Sequence, residues 1–356
     1  MKEKVVFFHL LNNFTGSPAV LANVIQVAKD SGKEVHLYTS SGKGFLSGIE
    51  GITYHPNHYI RSRFRIFTLF TFFLSQVYLA FQLLRWRSTD CVFYINTILP
   101  FSAIWVGKFL KKRTVVHVHE YEVSPKILSK FLFWMVKNGA DEVITVSRFL
   151  AQNPSLRSLE SKVIPNAVAL EFEKQARKNN FPPKGCFQVL MLASLRQYKG
   201  IHEFALLAKE LPNLIFVLVL SDAKREVEAW KIGQDLPSNL QLFPVQENVI
   251  SFFQSSSLLL NLAHPDKWKE TFGMTVLEGM HFGIPAIVPT QGGVTELVEE
   301  GLNGFLVDYT DLEKIKTLIS RISSDRELWN ALSENAKEKA KEFSFENFSS
   351  KIAEIL

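Results

Sequence analysis

Short apolar runs alternate with longer stretches of helical character along nearly the whole chain. In the first half, the apolar runs are Val5–Leu10, Glu34–Ser40, Cys91–Asn96, Thr114–His119 and Glu142–Ser147. In the second half, they are Gln188–Ser194, Leu214–Ser221, Leu240–Pro244, Leu258–Ala263, Ala286–Thr290 and Gly304–Val307. Continuous apolar strands separated by helices are typical of parallel sheets that helices cover on both faces. The alternation therefore predicts an α/β protein with two doubly wound domains.

The length of 356 residues also favours two domains, because it exceeds the size of one ordinary domain. We expect a first domain over residues 1–168, a second over residues 181–340, and a boundary near Pro165–Phe181. The polar stretch Glu171–Asn180, followed by Pro182-Pro183, is the expected linker. Residues 341–356 are expected to end in a helix that crosses back to the first domain. Ligands bind beyond the carboxyl ends of such strands, so two facing domains would enclose a binding cleft.

The two halves of the chain differ in charge. Residues 1–165 carry 20 Lys and Arg against 10 Asp and Glu, whereas residues 166–356 carry 20 against 25. A basic half indicates an anionic partner, either nucleic acid or a membrane surface. Cys91 and Cys186 are isolated from each other, which indicates neither a disulfide framework nor a metal cluster and favours a reducing cytosol. The apolar run at the N-terminus is too short for a signal peptide and is interpreted as a buried strand.

One stretch, Ile66–Leu84, has 19 residues without a charge and is flanked by arginines on both sides. It reaches the length and apolarity of a transmembrane helix. Positive charge on both flanks favours no orientation, and a span would place neighbouring strands of one sheet on opposite sides of a membrane. The interpretations that stay open are an interfacial helix or a pair of short interfacial helices, and a helix buried in the first domain. Two further basic and aromatic segments, Ile98–Arg113 and Lys126–Lys137, favour a membrane surface over nucleic acid.

The residues with the clearest chemistry follow the strand that ends near Ala263. Glu270 is predicted in the loop after this strand, and a helix is predicted over about Phe272–Phe282. The amides of Phe272, Gly273 and Met274 would point outward at the helix start, where an anion is favoured. Glu278 lies one turn after Met274, and helical side chains lean toward the N-terminus. Two carboxylates beside a phosphate site suit a sugar nucleotide, although an ordinary amphipathic helix with two solvated glutamates has the same spacing.

The segment ETFGMTVLEGMHFGIP, residues 270–285, is followed by the strand AIVPT and by Gln291-Gly-Gly. This order resembles the family-4 glycosyltransferases of the GT-B fold, with the signature E-[ST]-F-G-x4-E-[AG]-M-x2-G-x-P. The strand and helix pattern extends the resemblance over the whole chain. It implies two Rossmann-like domains facing each other across a cleft. It also implies that Glu270 and the backbone at Phe272–Met274 contact the donor sugar, and that Glu278 binds the ribose.

The family also carries an arginine and a lysine on the donor diphosphate, in the form G-R-x4-K-G. This chain has Ala193-Ser-Leu-Arg-Gln-Tyr-Lys-Gly, so Lys199 matches the lysine and Ser194 stands in place of the arginine. Arg196, two positions away, is the candidate replacement. The alternative for Lys199 is a solvated lysine in a turn.

In the first half, the resemblance implies that Gly16 lies in the glycine loop that approaches the donor phosphate or the acceptor. A glycine in such a turn is common to any doubly wound sheet, and Ser17 departs from the usual Gly-Gly pair. His117 and His119 share one face of a strand, which suits a metal pair, structural histidines, or His119 as the cleft histidine of this family near the reaction centre. Asn166 is expected at the edge between the domains.

The expected reaction is sugar transfer from a nucleotide-sugar donor to a hydroxyl of a saccharide or lipid-linked saccharide, with retention of anomeric configuration as the resemblance implies. Positive groups at the leaving phosphate would provide the rate. No Asp-x-Asp occurs, so we expect neither metal nor cofactor. The expected location is cytoplasmic, at the inner face of the cell membrane, in envelope polysaccharide synthesis. The alternatives are another sugar-nucleotide enzyme such as an epimerase, a transferase with a soluble acceptor, and a catalytically silent scaffold.

Overall fold

The computed structural model describes residues 2–60, 64–178 and 186–356. The chain divides into two compact units, one formed by Met1–Asn166 with Glu346–Leu356 and the other by Ala167–Phe345. Each unit contains one sheet in which all paired strands run parallel. The last residues of the chain therefore belong to the first unit, although they follow the second unit in sequence.

The first unit is built on a seven-stranded sheet with the order β3-β2-β1-β4-β5-β6-β7. Its strands are β1 (Lys4–Phe8), β2 (Glu34–Thr39), β3 (Thr53–Pro56), β4 (Cys91–Asn96), β5 (Arg113–Val118), β6 (Glu142–Thr145) and β7 (Ser161–Val163). Its helices before the second unit are α1 (Gly16–Asp30), α2 (Arg65–Leu83), α3 (Phe101–Phe109), α4 (Lys126–Gly139) and α5 (Arg148–Ala151). The central strands β1 and β4 are buried along almost their whole length, which explains their continuous apolar sequence.

The second unit has a six-stranded sheet with the order β10-β9-β8-β11-β12-β13. Its strands are β8 (Gln188–Ala193), β9 (Ile215–Leu220), β10 (Leu240–Phe243), β11 (Leu258–Leu260), β12 (Ala286–Val288) and β13 (Gly304–Leu306). Its helices are α6 (Leu170–Arg177), α7 (Ile201–Glu210), α8 (Lys224–Lys231), α9 (Ile250–Ser255), α10 (Met274–His281), α11 (Leu312–Ser324) and α12 (Arg326–Ala340). The terminal helix α13 (Phe345–Ala353) begins at the last residue of this unit.

The eleven apolar runs found in the sequence all form strands, most of them ending one to three residues earlier than predicted. The two strands that the sequence did not indicate, β3 and β7, each pair with one neighbour at an edge of the first sheet. Their side chains are half-buried or exposed. An edge strand that is not covered on both faces needs no apolar run, so the pattern used for the other strands does not detect it.

The prediction of a linker is wrong for the part of this stretch that the structure describes. Residues up to Arg177 form α6, and the rest of the predicted linker from residue 179, with Pro182-Pro183, lies outside the described residues. Glu173 is buried, and its carboxylate accepts a hydrogen bond of 3.0 Å from the backbone N–H of Phe345. A helix with acidic residues in its first turn and basic residues in its last is as polar as a linker, so composition alone misassigned it.

Both sheets reverse their strand order at their first strand. β1 lies between β2 and β4, and β8 lies between β9 and β11. The connections from β1 and β4 therefore leave in opposite directions, as do those from β8 and β11, and a crevice opens at the carboxyl ends of these strands. In the second unit, this switch point brings together the loops after β8 and β11, which contain Lys199 and Glu270.

These two loops touch at Gly200, the first residue after the turn that carries Lys199. Gly200 has φ of +79°, and a Cβ added there would lie 2.3 Å from the carbonyl oxygen of Leu262, which follows β11. The oxygen belongs to the backbone and has little freedom to move away. Glycine is thus required by conformation and by space at this position.

Replacing Gly200 by alanine is expected to destabilise the second unit by about 3 kcal/mol, because backbone strain and a backbone clash add. Gly233→Ala is the matched control, since Gly233 has φ of +80° and nothing within 4 Å of an added Cβ. The control should lose only about 1 kcal/mol from the left-handed conformation. Urea unfolding followed by tryptophan fluorescence measures both; equal losses would show that the contact with Leu262 does not constrain the fold.

Candidate functional site

The loop between β11 and α10 is held against a pair of glycines. The N–H of Gly293 donates a hydrogen bond of 2.7 Å to the carbonyl oxygen of Glu270. A Cβ at Gly292 would lie 2.9 Å from that same oxygen, and a Cβ at Gly293 would lie 2.0 Å from the carbonyl oxygen of Thr271. The two glycines let the turn after β12 lie directly on the Glu270 backbone, which fixes the position of its side chain.

Glu270 and Lys199 form an ion pair at the carboxyl edge of the second sheet. The ammonium Nζ lies 2.8 Å from Oε2 of the carboxylate, and both side chains are about one-fifth exposed. Lys199 ends a short 3₁₀ turn after β8, and its Nζ also lies 5.4 Å from the centroid of the Trp268 ring. A cation over an aromatic face is attracted electrostatically, so two contacts position the ammonium. The structure brings these two predicted residues together.

Trp268 belongs to a turn that neighbouring backbone groups hold in place. Its N–H donates to the carbonyl oxygen of His264 at 2.8 Å, and the N–H of His264 donates to the carbonyl oxygen of Tyr198 at 2.8 Å. The rings of Tyr198 and Trp268 stack with centroids 5.4 Å apart. Trp268 is 44% exposed, so a large aromatic surface stays open to solvent beside the ion pair. Sequence reasoning missed both aromatic residues, although each lies within two positions of a predicted donor residue.

Ser194 and Arg196 lie between β8 and the 3₁₀ turn of Lys199. Ser194 is half-buried, and its carbonyl oxygen accepts a hydrogen bond from the N–H of Arg196 at 2.6 Å. The Arg196 side chain is exposed, and among the described residues its guanidinium has no hydrogen bond or ion pair. Its charge is therefore not committed to a structural partner.

The helix α10 begins at Met274, two residues later than the sequence indicated, because Gly273 takes a left-handed conformation with φ of +101°. Gly273 is the N-cap and has no side chain to bond the free amides of the first turn. A Cβ at Gly273 would lie 2.8 Å from the Val294 side chain, so a larger residue does not fit. Phe272 is buried and packs against Phe343. Its contribution to a ligand site is therefore limited to its backbone.

Glu278 lies one turn along α10 and is partly buried. Its carboxyl has no hydrogen bond or ion pair with any other residue that the structure describes. Removal from water raises the pKa of this group from 4.5 to about 8. A carboxyl group that is partly desolvated and has no structural partner is typical of a functional site.

In the first unit, His119 lies directly after β5 and is hydrogen-bonded to Asn96 at the end of β4. The Nδ2 group of Asn96 donates to the carbonyl oxygen of Ser17 at 3.0 Å, so its Oδ1 faces Nε2 of His119 at 2.9 Å. Nε2 of His119 must therefore carry the proton. The other ring nitrogen, Nδ1, has no hydrogen-bond partner in the described part of the chain and is left as an acceptor. The same amide joins His119 to the start of α1, where Gly16 lies.

The His119 ring stays neutral. Burial holds its pKa well below the usual range, and the neighbouring imidazoles of His117 and His9 lower it further. Burial also lowers the pKa of His117 to about 3, and Nδ1 of His117 is hydrogen-bonded to Tyr94 at 2.9 Å. In the opposite direction, burial raises the pKa of Glu120 to about 7. This region disfavours charge of either sign.

Gly16 is exposed and is the first residue of α1. The N-cap Thr15 makes no side-chain bond to the helix amides, because its hydroxyl donates to Oδ1 of Asn13. The amides at this helix start are thus available to a ligand. Asn166 is the last residue of the first unit's main segment; it is buried, and its Oδ1 lacks a hydrogen-bond partner among the described residues. Across residues 2–60, 64–178 and 186–356, no group of three or more His, Cys, Asp and Glu is arranged to hold a metal ion.

Two family models match the chain and meet at residue 172. The model described as Glycosyltransferase Family 4 matches residues 14–172, and the model described as Glycosyl transferases group 1 matches residues 172–339. The group 1 match contains Ser194, Lys199, Glu270 and Glu278, whereas the family 4 match contains His119. The two matches thus divide the candidate residues as the two units do.

Among curated proteins, the chain is similar to an uncharacterized glycosyltransferase of Methanocaldococcus jannaschii, with 28% identity over 265 residues that cover 71% of each protein. It is also 26% identical over 199 residues to UDP-Gal:alpha-D-GlcNAc-diphosphoundecaprenol alpha-1,3-galactosyltransferase of Escherichia coli, covering 51% of this chain and 49% of that enzyme. Among solved structures, HepE of Anabaena in complex with UDP and glucose aligns with a TM-score of 0.76, 19% identity and 99% coverage of both chains. The last match establishes the fold.

The titration of Glu278 is expected to appear in the pH dependence of stability. Its folded pKa of about 8 exceeds the ordinary value of 4.5, so the parent should lose stability relative to Glu278→Gln as pH rises from 4.5 to about 8. Below pH 4.5 both states bind the proton, and the difference should be constant there. Thermal unfolding of both proteins across this range measures the effect. Glu247→Gln, at an exposed position, is the control, and a Glu278→Gln curve parallel to the parent would contradict a raised pKa.

Proposed function

Because the chain belongs to the glycosyltransferases of the GT-B fold, we propose that it transfers a sugar from a uridine or guanosine diphosphate sugar to a hydroxyl of a saccharide or lipid-linked saccharide, with retention. The proposed setting is the synthesis of cell-envelope polysaccharide. The observation that carries the proposal is the Lys199–Glu270 ion pair at the switch point of the second sheet.

The ion pair matches the two ends of a sugar diphosphate. Negative charge grows on the leaving phosphate as the anomeric bond breaks, and an ammonium held in place beforehand stabilises that charge. A carboxylate accepts hydrogen bonds from neighbouring sugar hydroxyls. In the free protein the two groups satisfy each other, and a donor supplies a phosphate to Lys199 and hydroxyls to Glu270. The uncapped start of α10 adds amides that favour an anion.

The remaining residues of the second unit have supporting roles in this proposal. Glu278 is proposed to accept hydrogen bonds from the ribose hydroxyls. Arg196 has an uncommitted charge and is the proposed second cation on the diphosphate, while Ser194 stands where the family has its arginine. No residue is assigned as a covalent nucleophile, and the acceptor hydroxyl attacks from the face that the phosphate leaves. We expect this chemistry to need no metal ion.

In the first unit, the proposed role of His119 is to accept a hydrogen bond. Its ring is neutral, Nε2–H is committed to Asn96, and Nδ1 is an acceptor. A sugar hydroxyl is the complementary donor. Because its pKa is so low, the imidazole stays neutral and rarely carries a second proton that it could donate. His119 is therefore proposed to orient the sugar and not to protonate the leaving group. Gly16 and the free amides of α1 are proposed to lie against the donor phosphate or the acceptor.

The names of the relatives support the donor and acceptor classes. The Escherichia coli galactosyltransferase takes its sugar from UDP and acts on a diphosphoundecaprenol saccharide, and the Anabaena structure contains UDP and glucose. The basic first half of this chain supports a location at the anionic inner face of the cell membrane. The main competing function is a catalytically silent scaffold, which the serine at position 194 favours and the intact Lys199–Glu270 pair opposes.

Slow hydrolysis of the donor in the absence of acceptor tests the site. Lys199→Ala is expected to lower the rate of nucleoside diphosphate release about 100- to 1000-fold, because the leaving phosphate loses its cation. Glu270→Ala should lower it at least about tenfold through loss of sugar positioning. Lys209→Ala is the matched control, since it removes an exposed lysine of the same unit that pairs with Asp235. If both site variants release nucleotide as fast as the parent, the assignment is wrong.

A thermal-shift screen of UDP, GDP, ADP and their sugars identifies the donor. A ligand present at about 100 times its Kd stabilises the folded state by about 2.7 kcal/mol. We expect UDP or GDP to raise the melting temperature of the parent and to have little effect on Lys199→Ala. Uridine and guanosine monophosphates are the controls, because they lack the second phosphate. Equal shifts with monophosphates, or none with any nucleotide, would contradict a diphosphate site.

A further inference from the structure

Unlike an ordinary surface helix, α2 buries polar residues and exposes large apolar ones. Its polar residues Ser75 and Gln76 are 1% and 2% exposed, whereas Phe70 and Phe81 are 62% and 70% exposed. The helix of a soluble domain normally places its apolar stripe inward and its polar residues outward. In α2 the exposed side is strongly apolar, while the buried side contains polar residues as well as Phe72, Leu79 and Leu83.

Hydrogen bonds fix this orientation. Oε1 of Gln76 accepts from the backbone N–H of Ser102 at 3.3 Å and from its hydroxyl at 3.1 Å, and Ser102 belongs to α3. The hydroxyl of Thr71 donates to the carbonyl oxygen of Ile60 at 2.7 Å. Rotating α2 to bury its phenylalanines would break these bonds and expose other apolar residues such as Leu79, which is fully buried. These contacts therefore hold the exposed apolar residues of α2 toward solvent.

The exposed stripe runs the whole length of the helix. Residues spaced three or four apart lie on one face, and the spacing is kept from the first turn to the residue after the last. Its members include Ile66, Phe70, Phe73, Val77, Phe81 and Leu84. A contiguous apolar surface of this length on a soluble unit indicates an interaction site.

The neighbouring helices continue the surface. α3 packs against α2 and α4 packs against α3. Phe109 at the end of α3 is 79% exposed, and Ile127 at the start of α4 is 82% exposed. Trp134 of α4 is also exposed and stacks on Trp105 of α3. Tryptophan and phenylalanine beside an apolar stripe are typical of the boundary between lipid and water. We call these exposed faces of α2, α3 and α4 the helical outer surface.

The charge around the helical outer surface is predominantly positive. The sequences of α2, α3 and α4 contain no Asp or Glu, while α4 exposes Lys126, Lys130 and Lys137. Beside Phe109 a recess is lined by Lys108, Lys111, Lys112 and Arg113, with a single acidic residue, Asp141. Lysines beside an apolar face complement the phosphates of anionic lipids.

The recess and His119 lie at opposite ends of β5 in the first unit. Arg113 begins β5, whereas His119 follows the end of that strand, so the recess is at the amino edge of the sheet. Lys112 donates to the carbonyl oxygen of Thr89 and Arg113 pairs with Glu142. The ammonium of Lys111 is exposed and has no partner among the residues that the structure describes. This recess is therefore distinct from the nucleotide-sugar site.

The topology does not allow α2 to span a membrane. One helix, Ile66–Trp86, is long and apolar enough to cross a bilayer by length and composition. It connects β3 to β4, and both strands belong to one sheet through β2 and β1. A crossing helix would place these strands on opposite sides of the membrane and break the sheet. α2 can contact lipid only by lying along the surface.

We propose that the helical outer surface docks on a bilayer that contains anionic phospholipids. α2 lies in the plane of the interface with its phenylalanines among the acyl chains, and the lysines of α4 and of the recess contact lipid phosphates. This inference rests on the membrane location in the proposed function and names the surface and the lipid chemistry responsible. A second copy of this chain is the competing occupant of such a face.

Co-sedimentation of the whole protein with vesicles tests the docking surface. We expect strong binding to vesicles of equal parts phosphatidylcholine and phosphatidylglycerol, weaker binding to phosphatidylcholine alone, and release of part of the protein at high salt. The double variant Phe70→Gln with Phe81→Gln should bind at least about tenfold more weakly, because each side chain loses its apolar contact with lipid. Leu206→Gln with Ile232→Gln is the matched control, since both residues are exposed in the second unit.

A charge variant separates the two parts of the surface. Lys126→Gln with Lys130→Gln and Lys137→Gln should weaken binding to the anionic vesicles and leave binding to phosphatidylcholine unchanged. Equal binding of parent and charge variant at low salt would overturn the assignment of these lysines to lipid phosphate. Failure of the folded parent to bind the anionic vesicles, or unchanged binding of the phenylalanine variant, would overturn the docking surface.

Two further measurements distinguish the possible outcomes: the oligomeric state, and donor hydrolysis together with the unfolding midpoint. Sedimentation velocity shows whether the face joins two copies; a parent dimer that the phenylalanine variant dissociates, with no vesicle binding, would overturn the proposal. Donor hydrolysis in solution and the unfolding midpoint should be the same in the parent and the phenylalanine variant, because Phe70 and Phe81 are exposed and neither is a proposed donor residue. If vesicle binding fails while Lys199→Ala abolishes hydrolysis, the transferase proposal survives without this surface; the reverse result would leave the surface and remove the transferase.

Discussion

Each of the two sheets is built from parallel strands, and in a parallel sheet the loops that follow the strands meet at one edge. Functional side chains that are far apart in sequence therefore become neighbours when their strands are adjacent. Lys199 and Glu270 are 71 residues apart, yet β8 and β11 pair directly and their following loops place the two charges 2.8 Å from each other. The same rule brings the carboxyl ends of β4 and β5 together in the first unit, where Asn96 at the end of β4 is hydrogen-bonded to His119 after β5. The positions of the proposed donor residues are therefore set first by the order of the strands and only then by local contacts.

Much of this could be predicted from sequence because burial on both faces leaves a continuous apolar run. The runs predicted eleven of the thirteen strands in the described residues, and the order of elements predicted two doubly wound units. The edge strands β3 and β7 were not predicted, because their exposed or half-buried residues form no continuous apolar run. α6 was interpreted as a linker because a polar helix and a polar linker have similar compositions. The start of α10 was misplaced because only the left-handed conformation of Gly273 defines it.

In the candidate site too, some residues were predicted from sequence motifs, whereas the positions of others depend on tertiary contacts that no motif contains. Glu270, Glu278 and Lys199 were identified from a motif whose glycines have a steric explanation, since Gly292 and Gly293 lie on the backbone of the Glu270 loop. Trp268 was missed because its position beside Lys199 depends on hydrogen bonds from His264 to Tyr198, which no spacing rule contains. The proposed acceptor role of His119 likewise depends on the orientation of the Asn96 amide, which its contact with the Ser17 carbonyl oxygen defines.

If the chain transfers sugars as proposed, the Lys199–Glu270 ion pair has a consequence for the end of the catalytic cycle. A ligand that engages only the lysine separates it from its carboxylate and leaves Glu270 partly buried without a cation, which costs free energy. A complete sugar donor compensates both groups, whereas the nucleoside diphosphate that remains after transfer compensates only one. Under the proposed function, re-formation of the ion pair would favour departure of the product, so the contact that holds the free site together would also help to empty it after each turnover.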